Sequence, residues 1–170
     1  MANPNNIPRK KFDKLLGLVD TIVEKKIFCE LYNHSAFILT KNLDVISYGE
    51  NNRRKISHNV ATTIHAETQA IQNINRNNIK YNKSYYLFVI KMSPNIRKLS
   101  ESVCCSRCVL KLLESDINIT RIYYSIEDGI KYRNINNMPI YITARDKDKN
   151  NDVHKIIDKI KKQTCKVYDL

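Results

Sequence analysis

The chain has 170 residues, 42% hydrophobic and 27% charged, and its 29 Lys and Arg against 17 Asp and Glu leave a net charge of +12. That is enough chain for one domain, 1–170, with a sizeable core. No apolar run approaches the roughly 18 residues of a membrane span, and the N-terminus lacks an apolar signal core, so a soluble, cytoplasmic protein with no membrane partner is expected.

From Arg9 to Ile27 the apolar residues Phe12, Leu15, Leu16, Val19, Ile22 and Val23 recur at three- and four-residue steps, which predicts an amphipathic helix. Two short strand-like runs follow, Ala36 to Thr40 and Asp44 to Tyr48, parted by the turn residues Lys41, Asn42 and Leu43, and predict a hairpin. A polar loop is expected from Gly49 to Asn59, then a helix from Thr63 to about Asn75. The aromatic and β-branched run Tyr85 to Ile90 predicts a central strand covered on both faces. A cysteine cluster then opens a helix with Val109, Leu110, Leu112 and Leu113 as its apolar positions. Ile119 to Ile126 predicts a strand, Asp128-Gly129 a turn, Pro139 to Thr143 a fifth short strand, and Val153 to Ile160 the body of a lysine-rich terminal helix. Strand, helix, strand implies parallel pairing through a crossover. Too few residues separate Asp128 from Met138 for a crossover helix, so the last two strands should be antiparallel. The expected fold is α/β, three layers with a mixed five-stranded sheet between helices.

The charge points toward phosphate-bearing ligands, since Lys and Arg neutralise phosphates. Ile, Asn and Lys, at 23, 20 and 20 residues, are also the three that an AT-rich genome favours, which makes part of the lysine content ballast. The positives are nonetheless clustered: Arg76 to Lys98 carries six with no acid, and Arg53-Arg54-Lys55 adds three.

His65 and Glu67 stand two residues apart at the start of one predicted helix, and Cys105 and Cys108 are three apart at the start of another. Thiols in a first helical turn are expected to have lowered pKa values from the backbone N–H groups and dipole. One imidazole and two thiolates offer zinc three ligands and leave its fourth position to water, and a carboxylate nearby can carry the proton. Three of the five cysteines lie within five residues, which suits a metal site better than a disulfide framework. His34, His58 and His154 have no partner pattern, and Cys29 and Cys165 read as packing residues.

The H-x-E and C-x-x-C pair resembles the cytidine deaminase-like superfamily, in its cytidine and deoxycytidylate deaminase branch, over roughly Ala36 to Gly129. The resemblance implies a Zn2+ ion held by His65, Cys105 and Cys108, with Glu67 as catalytic proton shuttle. Gly49-Glu50-Asn51 looks like the family's G-x-N loop, which makes Asn51 a substrate contact. One departure is Cys104, where the family usually has proline. Two alternatives follow: Cys104 replaces Cys105 as a ligand, or all three cysteines and His65 close a structural site. A redox C-x-x-C pair is a further reading.

The leading expectation is hydrolytic deamination of a free cytosine nucleoside or nucleotide, with Arg53-Arg54-Lys55 meeting a 5′-phosphate. By the resemblance, an antiparallel last strand pair accompanies enzymes of free nucleosides. An editing deaminase on tRNA or single-stranded nucleic acid is the alternative, and a non-catalytic zinc module binding nucleotides or a protein is the third. The resemblance also implies a homo-oligomer, dimer or tetramer.

Overall fold

The computed structural model describes residues 6–25, 33–57, 60–80, 82–93, 98–142 and 167–169. Helix α1 spans Arg9–Lys25, and strands β1 (Asn33–Leu39) and β2 (Val45–Glu50) form the expected antiparallel hairpin. Next come β3 (Asn52–Ser57), β4 (Val60–Ile64), α2 (Ala66–Gln72), β5 (Tyr85–Met92) and the two-residue β6 (Leu99–Ser100). The chain continues through α3 (Ser106–Glu114), β7 (Ile119–Ile126), β8 (Gly129–Asn134), β9 (Ile140–Ile142) and β10 (Val167–Asp169).

Among the described residues the main sheet has six strands, in the order β2-β1-β5-β7-β8, with β6 pairing the end of β5. Only β5 and β7 are parallel, joined through α3, and every other pair in this sheet is antiparallel. The sheet is therefore mixed, as expected. Period-two alternation gives each strand two faces. Phe37, Leu39, Tyr86, Phe88 and Ile90 face Phe12, Leu15, Val19 and Ile22 of α1, which recur at helical spacing. Ala36, Ile38, Tyr85, Leu87 and Val89 face Ala66 and Ala70 of α2 and Val109 and Leu112 of α3. Helix, sheet and helix pair make the three layers. Tyr85 and Tyr86 are both buried, one in each core, which excludes them as an exposed stacking platform.

Four expectations need correction. The segment expected as a polar loop, Gly49 to Asn59, holds the end of β2 and the first strand of a hairpin, β3 with β4, running from Asn52 against Ile64 to Ser57 against Val60. Its Ile, Val and Thr residues supply strand propensity that the charged residues around them hide. The antiparallel partner of β7 is Gly129–Asn134, entered directly from the Glu127-Asp128 turn. The strand near Pro139 exists as Ile140–Ile142, but it pairs in parallel with β10, outside the main sheet. Helix α2 is also shorter than expected, because Thr63 and Ile64 belong to β4. The terminal helix expected at 153–160, together with Cys29, His58, His154 and Cys165, lies outside the described residues. No helix among those described is long and apolar enough to cross a membrane.

The contact between β2 and α2 has a specific cause. A Cβ on Gly49 would stand 2.3 Å from the Ala66 carbonyl oxygen and 2.3 Å from the Ala70 nitrogen. These are helix backbone atoms that no rotamer change can move, so only glycine permits this approach. Gly49→Ala is expected to destabilise the protein by about 3 kcal/mol or more. In urea titration the midpoint should fall with the slope unchanged, and a loss below about 0.5 kcal/mol would mean that α2 is free to shift.

Candidate metal centre

Helix α2 has seven residues, too few to persist without tertiary support. Support comes from β2 and the residue after it. Ser47 Oγ donates to the Ala70 carbonyl at 2.6 Å, the Glu50 N–H to Gln69 Oε1 at 2.5 Å, and Asn73 Nδ2 to the Tyr48 carbonyl at 2.9 Å. Asn51 completes the set: its Oδ1 accepts the Ala66 N–H at 2.8 Å, and its own N–H reaches the His34 carbonyl at 3.1 Å. Asn51 thus satisfies one of the N–H groups that a helix start leaves open, and its amide nitrogen is not used in that bond. His65 caps α2 with extended backbone, and Glu67 follows in the first turn, buried.

The cysteines are positioned by a different device. Beyond Val89 paired with Tyr124, β5 and β7 part to admit the segment of β6 and the residues after it. Two serine hydroxyls replace ladder bonds there. Ser125 Oγ accepts the Lys91 N–H at 3.0 Å and donates to the Ser100 carbonyl at 2.7 Å. Ser102 Oγ donates to the Val89 carbonyl at 2.8 Å and accepts the Ser125 N–H at 2.9 Å, while the two hydroxyls lie 3.0 Å apart. Both serines are buried, so their hydroxyls stand in for water as partners of these backbone groups. Two residues on, the chain delivers Cys104, then Cys105 as the cap of α3 and Cys108 in its first turn. Sequence reasoning missed both serines, because their work exists only where two strands separate.

The structure brings together the residues that the spacing selected. His65 Nδ1 lies 3.5 Å from Cys105 Sγ and 3.4 Å from Cys108 Sγ, and all three donor atoms lie within 4.8 Å of one another. A tetrahedral zinc with about 2.3 Å bonds to sulfur and about 2.0 Å to nitrogen requires N···S separations of about 3.5 Å. The donor set fits zinc. Thr68 Oγ1 approaches Cys108 Sγ at 3.9 Å and orients it. Cys104 is buried and groups with Glu67 and Cys108, each donor within 4.8 Å of the others, rather than with His65. Cys105 is exposed, and beside His65 and Cys108 lies a cleft of about 230 Å³ edged by Arg107 and Lys111.

The thiol pKa values run against expectation. The hydrogen bond with Cys108, then burial, raises Cys105, and the hydrogen bond with Cys104 leads the rise at Cys108. Cys104 is pulled down by its hydrogen bond with Cys108, yet burial and the Glu67 and Cys105 charges push it up to about 11. Thiols crowded among themselves and beside a carboxylate outweigh the helix N-terminus. A bound dication inverts this preference, since it binds thiolate.

The Arg76 to Lys98 positives do not form one described surface. Lys80 and Lys83 precede β5 whereas Lys91 and Lys98 lie at its other end, about 23 Å away by strand geometry. Nothing is described of the side chains of Arg53, Arg54 and Lys55.

The sequence matches the family described as the cytidine and deoxycytidylate deaminase zinc-binding region over residues 17–126. Among solved structures, the apo dCMP deaminase of the cyanophage S-TIM5 is similar at 14% identity and a TM-score of 0.44, over 96% of this chain and 99% of that one. No curated protein matches the chain.

Ser125→Ala removes one partner each from Lys91 N–H and the Ser100 carbonyl, and is expected to cost about 1–3 kcal/mol. Amide exchange at Lys91 should quicken far more than in β1. Unchanged protection at Lys91 would show that the hydroxyl does not hold the cysteine segment.

Proposed function

Because this chain belongs to the cytidine and deoxycytidylate deaminase family, whose shared region binds zinc, we propose that it hydrolytically deaminates a free cytosine nucleoside or nucleotide as a single domain. The observation that carries this reading is the meeting of His65 Nδ1 with Cys105 and Cys108 Sγ at 3.5 and 3.4 Å, beside the buried Glu67. His65, Cys105 and Cys108 hold the ion, which supplies a Lewis acid that makes water nucleophilic near neutral pH.

The protein groups do the rest. The Glu67 carboxylate accepts a proton from the attacking water as oxygen adds to C4 of the ring. It returns that proton to the ring nitrogen N3, then takes the remaining proton from the C4 hydroxyl and delivers it to the departing amino group as C4=O forms and the C4–N bond breaks. Water and cytosine become ammonia and uracil. Burial of Glu67 suits the task, since its proton is kept from bulk solvent. Asn51, anchored through its oxygen to Ala66, offers its amide N–H to a sugar or base acceptor.

Two features favour a free nucleotide over a polymer. Strand β8 returns antiparallel to β7 through a tight turn, so no crossover helix follows β7. The hairpin of β3 and β4 connects Asn51 to His65 and carries Arg53, Arg54 and Lys55, which supply the charge for a 5′-phosphate.

The test measures ammonia released from cytosine and adenine nucleosides and nucleotides and from a single-stranded oligonucleotide. Turnover is expected on a monomeric cytosine substrate. Glu67→Ala, loaded like wild type with one equivalent of zinc, should lower it about 10²- to 10⁴-fold with that ion retained by elemental analysis. Release from the oligonucleotide alone would favour nucleic-acid editing, and an active Glu67→Ala variant would remove Glu67 as the shuttle.

A further inference from the structure

Three thiols stand at the centre, and the zinc set uses two of them. The third, Cys104, is buried, as are Glu67 and Cys108, and one donor atom from each lies within 4.8 Å of the other two. Glu67 comes from the first turn of α2, Cys108 from the first turn of α3 and Cys104 from the residue before its cap, so rigid elements pre-arrange the group. Two thiolates and a carboxylate in a dry setting are a donor set for soft or borderline divalent ions.

We propose that Glu67, Cys104 and Cys108 form a second cation site, adjoining the first and sharing the Cys108 sulfur, which takes a thiophilic divalent ion and thereby captures the Glu67 carboxylate. A thiolate has lone pairs enough to bridge two ions. The charges also balance, since two dications meet three thiolates and one carboxylate, and near-neutrality is what a buried cluster requires. Binding at the second site releases the Cys104 proton to solvent and leaves the first three ligands in place. Its consequence is a brake, because a carboxylate bound to a cation no longer carries a proton. The brake rests on the reading of Glu67 as shuttle, whereas the site itself does not.

Metal-free protein of residues 1–170 titrated with Cd2+ tests the site, with bound ion counted by elemental analysis after gel filtration and thiolate-to-cadmium absorption followed in the ultraviolet. Wild type is expected to take two ions per chain in two absorption steps, and Cys104→Ala one. Glu67→Gln, which keeps the volume of the side chain, should also take one and decides the matter if Cys104→Ala fails to fold. Saturation of wild type at one ion, or two ions in either variant, overturns the site. In ammonia release, zinc beyond one equivalent should slow wild type at least tenfold, and the fractional inhibition should be lost in Cys104→Ala. A second ion that binds without slowing turnover overturns the brake. Silence with a single zinc bound overturns the deaminase reading and leaves the ion count standing.

Discussion

The missing side chain of Gly49 is the constraint on which the centre depends. Because no Cβ stands there, the backbone of α2 rests directly on β2, with Ala66 and Ala70 in contact. A helix of two turns has little stability of its own, so its place is set by what it touches. Four hydrogen bonds then fix its rotation: Ser47 and Glu50 donate to Ala70 and Gln69, and Tyr48 and Asn51 accept from Asn73 and Ala66. His65 and Glu67 inherit their positions from that seating.

The cysteines answer to a separate constraint. Strands β5 and β7 run together in parallel only as far as Val89 and Tyr124, and the gap beyond is closed by Ser102 and Ser125 rather than by a ladder. Two helix starts, one anchored by a glycine contact and one by a serine pair, thus meet at the imidazole. Crowding the thiols there raises their pKa values, and a divalent ion is the group that relieves the crowding by taking thiolate as ligand.

Reading the chain as a string of residues recovered a good part of this. Helix α1 was legible because Phe12, Leu15, Val19 and Ile22 fall on one helical stripe, and β5 because six buried residues run together. Hairpin β3–β4 was hidden, since Arg53, Arg54 and Lys55 mask its strand propensity. Strand β8 was legible in principle, with Ile130 and Tyr132 alternating against Lys131 and Arg133, but the turn before it drew attention to a later segment. Gly49 looked like a loop residue, although it ends a strand and serves a packing contact.

By itself the sequence determined the pairs that lie within one turn, His65 with Glu67 and Cys105 with Cys108, and the family pattern they spell. Helix geometry is local, so spacing alone carries that information. Only the tertiary structure decided that the two pairs meet, that Cys104 turns toward Glu67 and Cys108, and that the Asn51 amide oxygen takes the Ala66 N–H at the start of α2. Those meetings depend on which strands pair, where they part and how closely a helix approaches a sheet. Such contacts join residues some forty positions apart, and no local propensity encodes them.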